Sequence, residues 1–379
     1  MRLLDDLNID FLGLRKYAFL ISGSLIVLSL ISFIFRGVEL GIDFKGGTEI
    51  ALNFEKPIQI SEIRNVVEGI GLGNVEVKTF GGEKGVLIRT ELQQLPAEIY
   101  PQILGSIDKV FEENFPSVTK TIVDSTYNSI TYQLSDVSQL SNIIDKLVEN
   151  KFQTNVFSHE DGNDKIIVRV GISDWIEEAL IKQHSDNPFT VLKEDRVGPK
   201  IGDELKTDAV VAVFFALLVI LTYLWLRFKF TFAVGAVVAL FHDVIITLGM
   251  FSMLYGLIPT LNLELNIDVV AAFLTLVGYS INDTVVVFDR VRENIKIHKT
   301  ADLEENINKA INKTMRRTLV TSLTTLIVVA VLLFFGGDVL RGFAFTLFFG
   351  IIIGTYSSIF IASPFVLEYA KRSSKKVQF

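Results

Sequence analysis

The sequence predicts an all-α membrane bundle of six helices with an α+β domain outside the membrane, inserted between the first helix and the other five. Three observations predict it. Half of the 379 residues are hydrophobic, Phe alone numbers 30, and the mean hydropathy is +0.43, the profile of a multi-pass membrane chain. Six apolar runs are long enough to cross a bilayer core, which takes about 20 residues of helix. Charge is spread unevenly: residues 37–206 hold 28 acids and 17 bases, a balance of −11, while the remainder sums to +4. An acidic middle argues against a nucleic-acid partner, which requires a basic footprint. The absence of cysteine removes disulfides, thiolate metal sites and Cys nucleophiles.

Residues 1–16 are a short polar segment with Asp5, Asp6 and Asp10, closed by Arg15 and Lys16. The apolar run 17–36 follows. It is longer than a signal-peptide core and has no Ala-x-Ala-like cleavage site, so it reads as an uncleaved anchor. The positive-inside rule puts Arg15 and Lys16 in the cytoplasm.

Residues 37–206 read as the extracytoplasmic α+β domain. Strand-like Glu49–Phe54 precedes helix-like Ile60–Ile70, then strands Val75–Phe80 and Gly85–Thr90 flank the Gly81-Gly82 turn. A helix over 97–114 and a strand over Val118–Asp124 complete the set. The pattern then returns. Leu140-Ser141-x-Ile143 lies 80 positions after Ile60-Ser61-x-Ile63, and at the same offset Lys165–Val170 matches Gly85–Thr90, with Arg169 falling on Arg89. Each copy reads βαββαβ, which predicts two tandem ferredoxin-like modules over about 45–125 and 126–200. Gly46-Gly47 is not followed by Lys-Ser or Lys-Thr, and Gly69, Gly71 and Gly73 sit at a helix end. Neither is a nucleotide loop, and no cofactor is expected.

The other five spans fall within 207–370: about Asp208–Leu226, Thr231–Leu254, Ile267–Glu293, Thr318–Phe335 and Phe343–Tyr369. Arg227 and Lys229 mark a cytoplasmic turn, and Tyr255–Asn266 lacks Lys and Arg and lies outside. Arg290–Arg317 carries eight bases and lies inside, as does the basic tail 371–379. Both termini are therefore expected in the cytoplasm.

The fourth of these six spans carries Asn282 and Asp283. A carboxylate within a bilayer costs at least about 2.5–3.5 kcal/mol and is a functional candidate by default. Helical spacing puts Tyr279, Asp283 and Val286 on one face, so the acid can turn towards protein. His242 and Asp243 sit near the middle of the third span. Arg316 and Arg317 open the fifth, followed by Thr318, Thr321, Ser322, Thr324 and Thr325. Such groups must face one another or a wet crevice. Asp283 opposite Arg317 would be a carboxylate with a movable counter-charge, which a proton relay requires; the plainer reading is a structural polar group satisfied by neighbouring helices. For His242 and Asp243, with Asn282 and Thr321, packing hydrogen bonds and a secondary relay both stand. Gly350 and Gly354 read as positions of close helix approach. No H-E-x-x-H pair accompanies the four histidines, and no nucleophile elbow occurs, so nothing points to an enzyme or a metal site.

The run Val277–Asn294 (VGYSINDTVVVFDRVREN) resembles the fourth-helix signature of the SecF subunits of the bacterial Sec protein translocase, within the RND superfamily. Gly41–Gly47 (GIDFKGG), His242–Ser252 (HDVIITLGMFS), Arg317–Thr325 (RTLVTSLTT), Gly336–Gly342 (GGDVLRG) and Gly354–Ser358 (GTYSS) are similar to the same family, in the family's order. The resemblance implies an RND-type half that pairs with SecD into a twelve-helix assembly. That assembly uses the proton motive force to promote preprotein translocation through SecYEG across the cytoplasmic membrane, with further accessory subunits. It implies a proton-relay role for Asp283 and Arg317, and assigns Gly41, Asp43, Gly46 and Gly47 to the motif at the domain entrance. The outside domain is expected to be longer than a typical SecF needs, the extra material lying between GIDFKGG and the Val197-Gly198-Pro199 exit. The rival is a half-transporter of the same superfamily exporting lipid or small molecules. It would want an apolar-lined outside domain, whereas this one is acidic.

Overall fold

A computed structural model of the chain describes residues 8–96, 98–126, 129–136, 138–150, 152–157, 165–228, 230–298 and 301–372. In chain order the elements are α1 (Arg15–Phe35), α2 (Ile42–Lys45), β1 (Gly47–Phe54), α3 (Ile60–Gly69), β2 (Val75–Thr79), β3 (Gly85–Thr90), α4 (Tyr100–Asn114), β4 (Lys120–Ser125), β5 (Ser129–Leu134), α5 (Leu140–Glu149), β6 (Thr154–Phe157), β7 (Lys165–Arg169), α6 (Ile172–Gln183) and β8 (Phe189–Val197). The long helices α7 (Pro199–Arg227), α8 (Phe230–Leu254), α9 (Ile267–Ile297), α10 (Leu303–Phe335) and α11 (Arg341–Ser357) follow. A π-helical turn over Ser358–Ala362 leads into α12 (Ser363–Arg372). Lys229, Ala97 and the tail 373–379, which carried expectations above, lie outside the described residues. The chain divides into two compact units, Met1–Phe44 with Glu204–Phe379, and Lys45–Asp203.

Among the described residues six helices are long and apolar enough to cross a membrane, the last being α11 continued through the π turn and α12. Ion pairs show which helix ends lie together. Glu304, at the start of α10, pairs with Arg15 of α1 and Lys371 of α12, each at 2.6 Å. Asn308 and Asn312 of α10 hold the backbone of Phe11 and Ile9 through side-chain amides at 2.9 Å. The opposite end is tied by the backbone. Gly41 N donates to Leu265 O at 2.6 Å and Leu265 N to Glu39 O at 2.8 Å, a short parallel bridge between the exit of α1 and the entrance of α9.

The second unit contains two antiparallel four-stranded sheets, of order β2-β3-β1-β8 and β4-β5-β7-β6. Neither sheet is confined to one of the expected segments, 45–125 or 126–200. Each takes three strands from one half of the domain and a fourth from the other: β8 crosses to pair with β1, and β4 pairs with β5. The helices follow the strands, α3 packing with α6 and α4 with α5. The exchange has a physical basis in the core. Ile63 and Val67 of α3, Ile107 and Phe111 of α4, Ile143 and Leu147 of α5, and Ile176 and Leu180 of α6 belong to one apolar cluster spanning both sheets. Alternation on β5 and β7 points Ile130, Tyr132, Ile166 and Val168 into it. The halves are thus interlocked rather than placed end to end.

Candidate functional site

Three groups of polar side chains lie where the sequence singled out residues. The first surrounds Asp283. In a helix flanked by apolar neighbours, Asp283 is 3% exposed, and its Oδ2 accepts from Ser322 Oγ of α10 at 3.2 Å. Ser322 Oγ in turn lies 2.7 Å from Thr355 Oγ1 of α11. One turn earlier, Tyr279 O–H donates to Thr325 Oγ1 at 3.3 Å, so the predicted shared face of α9 does turn towards α10. Arg317 is exposed, and among the described residues no ion pair within 4.0 Å joins it to Asp283. Thr321 instead donates back to the Arg317 and Thr318 carbonyls of its own helix, each at 3.0 Å, and Asn282 is exposed.

The second group is a buried network on four helices. His242 Nδ1 of α8 lies 2.9 Å from Asp243 Oδ1. Asp243 Oδ2 accepts from Ser280 Oγ of α9 at 2.6 Å and from Ser357 Oγ of α11 at 2.9 Å. His242 Nε2 is 3.0 Å from Ser22 Oγ of α1, and Ser22 Oγ is 3.1 Å from the Tyr356 hydroxyl. That hydroxyl donates to Ala18 O at 3.0 Å, and the Tyr356 and His242 rings stack at 6.1 Å. His242 and Asp243 are 4% and 1% exposed, so their polar atoms depend on these partners. Gly354 makes the approach possible: a Cβ there would sit 3.0 Å from Ser280 Cβ and 3.5 Å from Asp243 Oδ2. Gly350, a turn earlier, packs on Leu276. Sequence reasoning did not single out Ser22, Ser280, Thr355, Tyr356 or Ser357; the signals that covered them were the motif runs GTYSS (Gly354–Ser358) for the last three and Val277–Asn294 for Ser280, while Ser22 had none.

The third group is the entrance motif. Asp43 Oδ2 accepts from Ile267 N at 2.9 Å, and Asn266 Oδ1 from Val269 N at 2.9 Å, so two side chains cap the helix that carries Asp283. Gly46 and Gly47 have φ of +74° and +114°, and a Cβ on Gly47 would collide with Thr90 O. Only glycine fits that turn into β1. Gly41 sits against the Leu265 carbonyl in the bridge described above. No group of three or more metal-ligating side chains occurs among the described residues.

The profile of the protein export membrane protein SecD/SecF C-terminal region matches residues 177–372, and the SecD/SecF GG motif matches residues 31–58. The chain belongs to the SecD/SecF family. Among its SecF relatives, the protein translocase subunit SecF of Rhodothermus marinus is 40% identical over 376 residues, 99% of this chain and 98% of that one. The protein translocase subunit SecF of Calditerrivibrio nitroreducens is 38% identical over 98% of this chain and 97% of its own. These lengths correct the expectation of an oversized outside domain: the SecF relatives match this chain nearly end to end. SecDF of Thermus thermophilus, described as a translocon-associated membrane protein, superposes with a TM-score of 0.68 at 31% identity. That match covers 98% of this chain and 40% of the SecDF chain. A SecDF structure in a super-membrane-facing form gives 0.56 at 31% identity, over 97% and 40%.

Proposed function

We propose that the chain is the SecF half of a SecD–SecF assembly in the cytoplasmic (inner) membrane, with both termini in the cytoplasm. The assembly uses the proton motive force to promote movement of a preprotein emerging from SecYEG. The reading rests on one observation above all. Asp283 lies buried in an apolar bundle with one hydroxyl donor, Ser322, and with Arg317, five residues before that serine on α10, outside ion-pair distance. Such a carboxyl can be satisfied in two ways, by a proton or by closer approach of the Arg. Alternation between them converts proton passage into displacement of α10 against α9. The match to under half of a SecDF chain supports a second subunit that completes the bundle.

The test is translocation into vesicles bearing a proton gradient, with SecD co-purification as a check on assembly. Asp283→Asn keeps shape and hydrogen-bonding capacity but cannot titrate. It should lose gradient-dependent stimulation and leave ATP-driven translocation without a gradient unaffected. Arg317→Lys keeps the charge without the planar fork and should impair coupling less than Arg317→Met. Full gradient-dependent activity in Asp283→Asn would reduce the residue to a structural polar group.

A further inference from the structure

We propose that the His242–Asp243 pair is a second proton-binding site, loaded in this structure, whose proton count is read by Ser22 of α1. The argument is a count of protons along the hydrogen bonds. Tyr356 must donate to Ala18 O, because a carbonyl only accepts. The Tyr356–Ser22 contact is then made by the Ser22 proton. With its one proton committed, Ser22 can only accept from His242 Nε2, which therefore carries a hydrogen. On the other side of the ring, Ser280 donates to Asp243 Oδ2, and Ser357 Oγ lies 2.9 Å from the same oxygen and 3.1 Å from Gly354 O; the line between Nδ1 and Oδ1 holds one further proton, since the two atoms can bond only through one. That proton sits on the ring as imidazolium beside carboxylate, or on the acid beside a neutral imidazole. In both forms the pair holds one proton more than a neutral His beside an ionised Asp.

Unloading has a defined sequence. The Nε2 proton leaves, the proton on the Nδ1–Oδ1 line settles on Nδ1, and Asp243 remains a carboxylate. Bare Nε2 then needs a donor, and Ser22 supplies it by turning its O–H away from Tyr356. The cost is the Ser22–Tyr356 bond, one of the two that join α1 to α11 at this level. The titratable groups facing the pair are few: Tyr356 from α11 and, beyond Ser280 along α9, Asp283, the next buried carboxylate. The site therefore links proton occupancy to the grip of α1 on the bundle, a role additional to Asp283. It draws on the proposed function only for its use in the cycle.

Ring-nitrogen NMR tests it on the full chain, labelled with ¹⁵N-histidine in lipid nanodiscs. The chain has four histidines, and the His242→Gln spectrum identifies the signals of interest. His242 Nε2 should appear protonated at pH 7.5. In Tyr356→Phe, Ser22 is free to donate, so the unloaded arrangement is also fully bonded, and a bare Nε2 signal should grow as pH rises from 6 to 9. Bare Nε2 beside protonated Nδ1 in the parent chain at pH 7.5 would overturn the proposal, and so would a Tyr356→Phe spectrum indistinguishable from the parent throughout. Normal gradient-dependent translocation in Asp283→Asn would sink the relay reading of that residue and leave this result unchanged.

Discussion

Arg89 and Asp283 pose the same problem in different surroundings, a charge held away from water. In the α+β domain the solution is direct pairing. Glu49 and Arg89 stand opposite each other on β1 and β3 with side chains 6% exposed, and Arg89 donates to Glu49 Oε2 through both Nε and Nη2. Arg89 Nη1 also reaches Glu76 Oε2 at 3.4 Å, and Lys193 lies 3.6 Å from Glu49 Oε1. Removing one partner of a buried pair leaves the other uncompensated, a loss of about 3–5 kcal/mol, whereas replacing both with apolar side chains is often close to neutral. Arg89→Met should therefore lower stability in urea by that order, and Arg89→Met with Glu49→Leu should recover most of the loss. A single variant within about 1 kcal/mol of the parent would show that the pair carries little. The 80-residue offset aligned Arg169 with Arg89, yet the two differ in role. Ser129 stands opposite Arg169 where Glu49 stands opposite Arg89, and Arg169 bonds Gln153 Oε1 at 2.9 Å. Spacing shows which positions correspond, not whether a counter-charge is present. The same limit hid the serines around Asp243. A serine in an apolar run carries no signal until helices far apart in sequence bring it to a carboxylate.

At the scale of elements, the apolar cores of the spans were legible and their polar extensions were not. α10 begins at Leu303 rather than at Thr318, because its first turns are polar and continue as helix where hydropathy gives no sign of it. α7 begins at Pro199, a residue suited to the first helical turn, well before the apolar run. The π turn over Ser358–Ala362 cannot be read from 3.6-residue periodicity, and it directly follows the GTYS residues of the buried network. The GIDFKGG motif was legible as a motif, but its work was not. Its aspartate caps α9, alongside Asn266, at the end of the helix that presents Asp283. Loss of a cap costs about 1 kcal/mol, roughly a fivefold change in local opening. Asp43→Ala should speed hydrogen exchange at Ile267 by about that factor and leave the middle of α9 unchanged. Unaltered exchange at Ile267 would mean that water or Asn266 replaces the cap without loss.

At the scale of the whole molecule, the repeat was legible from β1 to β3, where α5 starts 80 residues after α3. The exchange of β4 and β8 was not, because the alternation within a strand does not name its partner: β8 pairs with β1 from the far end of the domain, and β4 with the adjacent β5. The six-span layout follows from charge in the loops, and the ion pairs of Glu304 with Arg15 and Lys371 are consistent with it, since they hold the start of the first span and the end of the last at one end of the bundle. The absence of native cysteine makes the orientation testable with single reporters. Lys109 on α4 is 73% exposed and pairs with Glu113 at 3.7 Å. Glu305 at the start of α10 is 53% exposed and pairs with Lys309. Exposed pairs of this kind contribute little, so neither substitution should disturb the fold. In intact cells Lys109→Cys should react with a membrane-impermeant maleimide, while Glu305→Cys should react only after the cytoplasmic side is opened. Reaction of both from the same side would refute the odd-numbered crossing between them. Reaction of Glu305→Cys alone in intact cells would invert the whole chain, placing the acidic domain in the cytoplasm against the direction that Arg15, Lys16 and the eight bases of Arg290–Arg317 favour.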